Sequence, residues 1–182
     1  SAQVESANIV GYVTITNNPG TTYPSYGNCF ITVGDVNTES VLGDITAEQF
    51  RALAAIQRDF GAGVRMSNRQ NVVFRDLTDD QLPALYERLD AIGMAQAGAE
   101  LLRDVVACPG ADTCNLAVTQ SRGLASAIGE RLEEEGLAEI GGLRINISGC
   151  TNSCGQHHIA DIGFFGAERR ANGRSAPGYQ ML

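Results

Sequence analysis

The sequence of 182 residues contains no lysine, and all thirteen of its cationic residues are arginine. Any chemistry that needs a lysine ammonium group must therefore take it from another segment or another chain. The sequence also has no apolar run long enough to span a bilayer, no low-complexity tract and no apolar signal segment at its start. These absences predict a globular chain without a membrane partner.

Positive charge is scarce as well, because the formal net charge is −8 at pH 7. A protein that binds nucleic acid normally carries a basic patch or stripe, so we expect no nucleic-acid partner. An acidic docking partner also fits poorly unless the arginines are segregated on one surface.

The length of the chain allows one large domain or two small ones, each with a hydrophobic core.

Four of the five cysteines form two tight pairs, and these pairs are the most informative feature of the sequence. Five residues separate Cys108 from Cys114, and three separate Cys150 from Cys154. A zinc ribbon favours pairs with two intervening residues, so these spacings suit a larger object better. A four-iron, four-sulfur ([4Fe-4S]) cluster takes four thiolates at corners several ångströms apart. The predicted metal ligands are therefore Cys108, Cys114, Cys150 and Cys154.

Other interpretations of the cysteines stay open. A structural zinc site comes second on spacing, and a disulfide framework comes third, because the chain is neither short nor dense in cysteine. Four unrelated buried cysteines are disfavoured, since such residues usually lie on helices and strands rather than in loops with glycine and asparagine. The fifth cysteine, Cys29, lies on an apolar run and is interpreted as a core residue.

The first half of the chain alternates strands with amphipathic helices. Two capping boxes, Thr46–Gln49 and Thr78–Gln81, predict helices that reach about Phe60 and Ile92. The predicted strands are 9–16, 29–34, 64–67 and 71–75. This order is the split β-α-β pattern of a ferredoxin-like layer, with helices on one face of an antiparallel sheet. We therefore predict an α+β protein whose ferredoxin-like half-domain occupies residues 1–97.

The second half, residues 98–182, is predicted to be an α/β half-domain that binds the cofactor. Its predicted elements are strands at 105–107, 143–147 and 159–165, a helix from Asn115 to Glu135, and the start of a strand at Tyr179–Leu182. Both cysteine pairs then fall at the carboxyl ends of strands, where α/β sheets bind ligands. Because Cys114 would precede a helix, free backbone N–H groups there would stabilise its thiolate. The apolar run at the end predicts that the chain is a fragment, truncated in this half-domain.

The cysteine pattern resembles the cluster motif of the sirohaem-dependent nitrite and sulfite reductases. The matching residues are Cys-x5-Cys at 108–114 and Gly-Cys-x-Asn-x-Cys-Gly at 149–155. A further segment, Arg-x3-Arg-Gln at 65–70, is similar to a signature in the ferredoxin-like halves of that family. The similarity spans residues 29–166. It implies a polypeptide with two pseudo-symmetric copies, of which this chain resembles the cysteine-bearing second copy.

The resemblance also implies roles for particular residues. The four paired cysteines would hold the cluster, and Cys154 would bridge it to the iron of a sirohaem. The many carboxylates of sirohaem require arginine and amide donors, and the implied cofactor-binding residues are Arg65, Arg69, Gln70, Asn71, Asn152 and Cys154. A solvated hairpin is the alternative for the two arginines. For His157 and His158 we expect packing or hydrogen bonding rather than metal ligation.

The implied activity is the six-electron reduction of nitrite to ammonium or of sulfite to sulfide. The implied partners are the remaining half of the same enzyme, an electron donor such as ferredoxin or a flavoprotein, and a small inorganic anion. Because the family holds its anion partly with lysines, which this chain lacks, we expect no turnover by the chain alone. Cluster assembly needs reduced thiols, which predicts the cytoplasm or a plastid-like stroma. The alternatives are a related cluster enzyme of corrin biosynthesis (precorrin-3B synthase-like), an electron-transfer module without its own substrate site, and a zinc-stabilised structural domain.

Overall fold

The computed structural model of the chain describes residues 45–95 and 97–182. The strands predicted at 9–16 and 29–34 and the core position predicted for Cys29 lie outside these residues. The described chain separates into two compact units, Thr46–Ala99 and Glu100–Leu182, and each has its own hydrophobic core. The predicted half-domain boundaries, 1–97 and 98–182, include residues beyond this range and stay a prediction.

The first unit contains two helices and a two-stranded antiparallel sheet. Its elements are α1 (Ala47–Phe60), β1 (Gly63–Met66), β2 (Val72–Arg75) and α2 (Leu82–Asp90). The core is centred on β2 and the buried stripes of the two helices, with Ile56, Phe74, Leu77, Leu85 and Leu89 almost inaccessible to solvent. Burying this many large apolar side chains is the main stabilising contribution to the unit.

Helix α1 begins where the capping box predicts. The Gln49 N–H donates to Thr46 Oγ1 at 3.1 Å, and the Thr46 N–H donates to Gln49 Oε1 at 3.0 Å. These two bonds satisfy backbone donors that the first helical turn leaves without partners. Gly61 ends the helix in the left-handed conformation, with φ of 62°.

The second predicted helix starts later than its capping box indicates. The Thr78 N–H does donate to Gln81 Oε1 at 2.9 Å, but residues 79–81 form a 3-10 turn and α2 begins at Leu82. Pro83 explains the difference, because it has no N–H to donate to the carbonyl four residues earlier and its ring would clash with that carbonyl. Proline is accepted in the first turn of a helix, which is its position in α2.

The second unit is a four-stranded mixed sheet with one long helix. Its elements are β3 (Val106–Ala107), α3 (Ser121–Glu134), β4 (Ile145–Ser148), β5 (Ile162–Ala171) and β6 (Arg174–Met181). The strands lie in the order β3-β4-β5-β6, with β3 and β5 parallel to β4, and β6 antiparallel to β5. Ala125 of α3 is buried in the core that also contains Ile145 and Ile147 of β4.

The last two strands are longer than the sequence predicted. β5 continues to Ala171 rather than 165, and it turns through Asn172 and Gly173, which have φ of 53° and 73°. An Asn-Gly pair with two positive φ angles is the preferred two-residue hairpin turn. Residues 179–181 are therefore the last part of β6 and not the start of a strand, so this prediction was wrong. None of the described helices is long and apolar enough to cross a membrane.

Candidate [4Fe-4S] site

Both cysteine pairs lie at the carboxyl edge of neighbouring parallel strands in the second unit. Cys108 directly follows β3, and Cys150 follows β4 by two residues. In the β3–β4 ladder Ala107 lies opposite Ile147, so the segments that follow leave the sheet side by side. We call residues 108–120 the first cysteine loop and residues 149–156 the second cysteine loop. The expectation that the two loops share one sheet edge agrees with this placement.

Gly149 is the residue at which the two loops meet. Its carbonyl oxygen accepts hydrogen bonds from the backbone N–H groups of Val118 at 2.8 Å and Thr119 at 3.2 Å. The Thr119 hydroxyl donates to the same oxygen at 3.3 Å. The Gly149 N–H in turn donates to Cys108 Sγ at 3.1 Å. All of these contacts between the two loops therefore pass through one residue of the second loop.

The close approach of the loops requires glycine at this point. A Cβ atom on Gly149 would lie 2.8 Å from the Gly110 Cα and 3.0 Å from the Ala117 Cβ. At Gly155 an added Cβ would overlap the Ile147 carbonyl oxygen, because the second loop folds back against β4. These glycines serve close backbone approach, which is one of the main structural uses of the residue.

The helix predicted from Asn115 begins only at Ser121, so the prediction for its start was wrong. The backbone N–H groups of Val118 and Thr119 donate to Gly149 rather than to carbonyls one turn earlier in the chain. A tertiary hydrogen bond thus replaces the helical one. Cys114 does not immediately precede the helix, and the proposed stabilisation of its thiolate by a helix start is also wrong.

Each loop has an inner and an outer cysteine. Cys108 is buried and Cys150 is half-buried, whereas Cys114 and Cys154 are exposed, and all four are free thiols. No three Cys, His, Asp or Glu side chains within the described ranges are close enough to share one metal ion. A zinc site would need all its sulfurs at about 2.3 Å from a single ion. Among the described residues the four thiols therefore form neither a disulfide nor a ready-made site for a single metal ion.

The donor set suits a [4Fe-4S] cluster. Four thiols lie on two loops that are hydrogen bonded to each other, and such a cluster takes its thiolates at separate corners. The Gly149 N–H on Cys108 Sγ is the kind of hydrogen bond to sulfur that stabilises a ligated thiolate. The hydroxyl of Ser121 is a second polar neighbour of this sulfur, at 3.4 Å, and it was not predicted from the sequence. No local pattern pointed to it, because the two residues come from different elements.

The buried side chain of His157 packs against residues that hold the second cysteine loop in place. Its ring is buried, stacks on Phe165 with 5.0 Å between ring centroids, and contacts Ser148 Oγ through Nδ1 at 2.8 Å. The same Ser148 oxygen accepts the Gly155 N–H at 3.1 Å. Burial lowers the pKa of His157, and the neighbouring His158 lowers it further. The expected packing and hydrogen-bonding role agrees with this position of His157, whereas His158 is exposed.

The residues predicted to bind sirohaem lie in two places. Arg65, Arg69, Gln70 and Asn71 belong to the β1–β2 hairpin of the first unit, and Asn152 is exposed on the second cysteine loop. In the hairpin, the Ser67 N–H donates to the Asn71 carbonyl at 2.8 Å, so Asn71 shapes the turn as well. The Arg65 guanidinium donates to the Val64 carbonyl at 2.9 Å and is exposed. Sirohaem contact by these residues stays a prediction.

Two family profiles match most of the chain. The nitrite/sulfite reductase ferredoxin-like half domain matches residues 36–92, and the nitrite and sulphite reductase 4Fe-4S domain matches residues 98–181. The chain belongs to the nitrite and sulfite reductase family. This membership confirms the resemblance found in the cysteine motif, together with the predicted α+β fold.

Relatives named as nitrite reductases and relatives named as sulfite reductases are both similar to the chain over most of its length. The ferredoxin–nitrite reductase of Synechococcus elongatus is 37% identical over 142 residues, which is 78% of this chain and 28% of that protein. The sulfite reductase [ferredoxin] of Mycobacterium tuberculosis is 30% identical over 153 residues, 80% of this chain and 27% of that protein. The structure of the M. tuberculosis NirA protein superposes with a TM-score of 0.67 at 27% identity, covering 88% of this chain and 31% of that one. The chain thus spans less than a third of the length of these relatives.

Proposed function

We propose that this chain is the cluster-binding part of an oxidoreductase that reduces nitrite to ammonium or sulfite to sulfide. Relatives named for each of the two activities support the proposal. Both reductions consume six electrons, and electron carriers such as ferredoxin deliver electrons one at a time. When bound, the cluster and the sirohaem supply one-electron redox centres and the iron at which the anion is reduced.

The observation that carries the proposal is the junction of the cysteine loops at Gly149. Here Gly149 is hydrogen bonded to Cys108, which lies 41 positions earlier in the sequence. These hydrogen bonds hold the two cysteine loops next to each other at the carboxyl ends of β3 and β4. The cysteines on that surface would hold the cluster, and Cys154, the last of them, would also bridge to the sirohaem iron. The buried Cys108 would anchor one corner in a place closed to water, whereas the exposed outer thiols would face the redox partner or the second cofactor.

The remaining parts of the proposed enzyme would come from outside this chain. The chain has no lysine to hold an anion and covers only 28% of the cyanobacterial relative, so we propose that it does not turn over substrate alone. Arg65, Arg69, Gln70, Asn71 and Asn152 would bind carboxylates of the sirohaem. The other half of the enzyme would complete the anion site. Ferredoxin is the proposed electron donor, since relatives of both types carry its name. The proposed location is the cytoplasm or a plastid-like stroma.

Anaerobic purification of the chain tests this proposal. We expect about four iron and four sulfide per chain, a broad brown absorbance, and a rhombic electron paramagnetic resonance signal after reduction. Serine at Cys108, Cys114, Cys150 or Cys154 should abolish all three, whereas Cys29→Ser should leave them unchanged. Stoichiometric zinc without sulfide, or a cluster that survives loss of one paired cysteine, would contradict the assignment.

Addition of sirohaem to the loaded chain tests the second cofactor. Sharp absorbance bands in the blue and the red would support sirohaem binding, and their loss in Arg65→Ala or Arg69→Ala would support the proposed contacts of these arginines.

A further inference from the structure

The hydroxyl of Ser121 contacts Cys108 at both its backbone and its sulfur. Ser121 is the first residue of α3 and has no solvent-exposed surface. Its Oγ donates to the Cys108 carbonyl oxygen at 2.6 Å and lies 3.4 Å from the Cys108 sulfur. The contact links the start of the helix to the end of β3, across a loop of twelve intervening residues. One buried side chain thus restrains both the path of the loop at Cys108 and the direction of its thiol.

The same sulfur accepts the Gly149 N–H from the other side. That donor lies 3.1 Å from Cys108 Sγ and belongs to the second cysteine loop. The sulfur therefore has polar neighbours from α3 and from the second loop, in a position closed to water. Hydrogen bonds in such an environment are stronger than at a surface, because water does not compete for the donor or screen the charge.

The single proton of the Ser121 hydroxyl has two acceptors to choose from. In the free thiol, the Cys108 S–H can donate to Ser121 Oγ while the hydroxyl donates to the Cys108 carbonyl. A thiolate bound to iron has no proton, so its sulfur can only accept. Ser121 then becomes the donor to the sulfur, either by turning its hydroxyl or by sharing its proton between the carbonyl and the sulfur. The position of Ser121 Oγ within reach of both the carbonyl oxygen and the sulfur of Cys108 allows either arrangement of its proton.

We propose that Ser121 is a positioning residue for the cluster, which orients Cys108 and raises the reduction potential of the bound cluster. Reduction adds one negative charge that spreads onto the ligand sulfurs, and a donor aimed at a sulfur stabilises that charge. This inference rests on the proposed function, because it requires that Cys108 bind the cluster. It adds a residue outside the cysteine motif that tunes the redox centre.

The test is a redox titration of the anaerobically loaded chain, followed by electron paramagnetic resonance. The variants are Ser121→Ala, which removes the hydroxyl, and Ser121→Thr, which keeps it. The matched control is Ser126→Ala on the same helix, since Ser126 Oγ donates to Glu130 on the exposed side. For Ser121→Ala we expect about a fivefold lower ratio of reduced to oxidised cluster at a fixed applied potential, the effect of one net hydrogen bond. By the one-electron relation of 59 mV per tenfold change, this is a shift of about 40 mV to more negative potential.

Recovery of the potential in Ser121→Thr, with no shift in Ser126→Ala, would support the inference. A Ser121→Ala cluster with the potential of the original chain would overturn it and leave the proposed function intact. Failure of the original chain itself to bind a cluster would overturn both. If only Ser121→Ala fails to take up the cluster, a second experiment tests the positioning role. The alkylation rate of each cysteine in the metal-free chain is then measured by mass spectrometry. Faster alkylation of Cys108, with Cys114 and Cys154 unchanged, would show that Ser121 positions the thiol; an unchanged rate at Cys108 would overturn that role.

Discussion

The two cysteine loops reach the same sheet edge by different means. The first loop is long and is held by distant partners: Gly149 of the other loop and Ser121 at the start of α3. The second loop is short and is held by nearby residues, since the Gly155 N–H donates to Ser148 and the Asn146 side chain donates to the Gln156 carbonyl at 3.2 Å. The first loop therefore depends on the second for its shape. The second is supported mainly by its own strand and by the buried His157 that follows it.

The largest predicted effect comes from breaking the junction of the loops. Gly149→Val would place side-chain atoms against Gly110 and Ala117, where a Cβ alone already lies within 3.0 Å of both. We expect the free energy of unfolding to fall by about 1–3 kcal/mol or more and the cluster to be lost. Urea denaturation and iron analysis measure the two effects.

Gly123→Ala is the matched control for this substitution. An added Cβ at Gly123 of α3 meets its nearest neighbour at an ordinary 3.8 Å, and alanine favours the helix by about 1 kcal/mol. We expect this variant to be as stable as the original chain or more so. Equal stability of Gly149→Val and Gly123→Ala would show that the loops do not need their close approach.

The next prediction compares a buried residue that supports the second cysteine loop with an exposed residue of the same loop. Asn146→Ala removes a buried donor and leaves the Gln156 carbonyl without this partner. We expect a loss of about 1–3 kcal/mol in the free energy of unfolding of the metal-free chain. Asn152→Ala on the exposed part of the same loop should change it by less than about 0.5 kcal/mol. Chemical denaturation compares the two, and a larger effect at Asn152 would refute this account of the loop.

The inner and outer cysteines of the first loop should differ once the cluster is absent. Cys108→Ser places a hydroxyl in a buried site shaped for sulfur, whereas Cys114→Ser changes an exposed position. We expect the metal-free chain to lose about 1 kcal/mol of stability with Cys108→Ser and almost none with Cys114→Ser. Thermal melts of the two variants under reducing conditions measure this. Equal melting temperatures would argue that the environment of Cys108 contributes nothing of its own.

The smallest predicted effect is a pH dependence of stability from His157. Its pKa in the folded chain lies below the ordinary value of 6.5, mainly because the ring is buried. The unfolded chain therefore takes up a proton first as the pH falls. The stabilising contribution is complete above pH 6.5 and is lost as the pH falls toward the lowered pKa, by at most about 1.4 kcal/mol per pH unit.

His157→Asn should flatten this dependence, because asparagine can still hydrogen bond to Ser148 but does not titrate. His158→Asn is the matched control and should keep most of the slope, since burial rather than His158 is the main cause of the shift. Urea denaturation at a series of pH values between 7.5 and 5 gives the slopes. The same slope for His157→Asn and the original chain would mean that another group titrates in this range.

Much of the local structure could be predicted from short stretches of sequence. The capping box at Thr46 located α1, and the two strands of the first unit lie within a few residues of the predicted ranges 64–67 and 71–75. The sequence also contains two local signals that account for the differences at α2 and at β5 and β6. Pro83 rules out an α-helix through the preceding turn, and the Asn172-Gly173 pair marks the β5–β6 hairpin. Both are local effects of backbone geometry, so they are properties of the sequence itself.

The sequence alone determined the chemistry of the candidate site: four thiols in two spaced pairs, glycines beside them, and no lysine for an anion. Ligand type and spacing are properties of the chain itself, so they need no fold to be recognised. Only the tertiary structure decided that residues 115–120 are not helical, that Ser121 lies against Cys108, and that the loops meet at Gly149. These features come from hydrogen bonds between residues 13 to 41 positions apart, and the energy of such contacts exists only after the strands have paired.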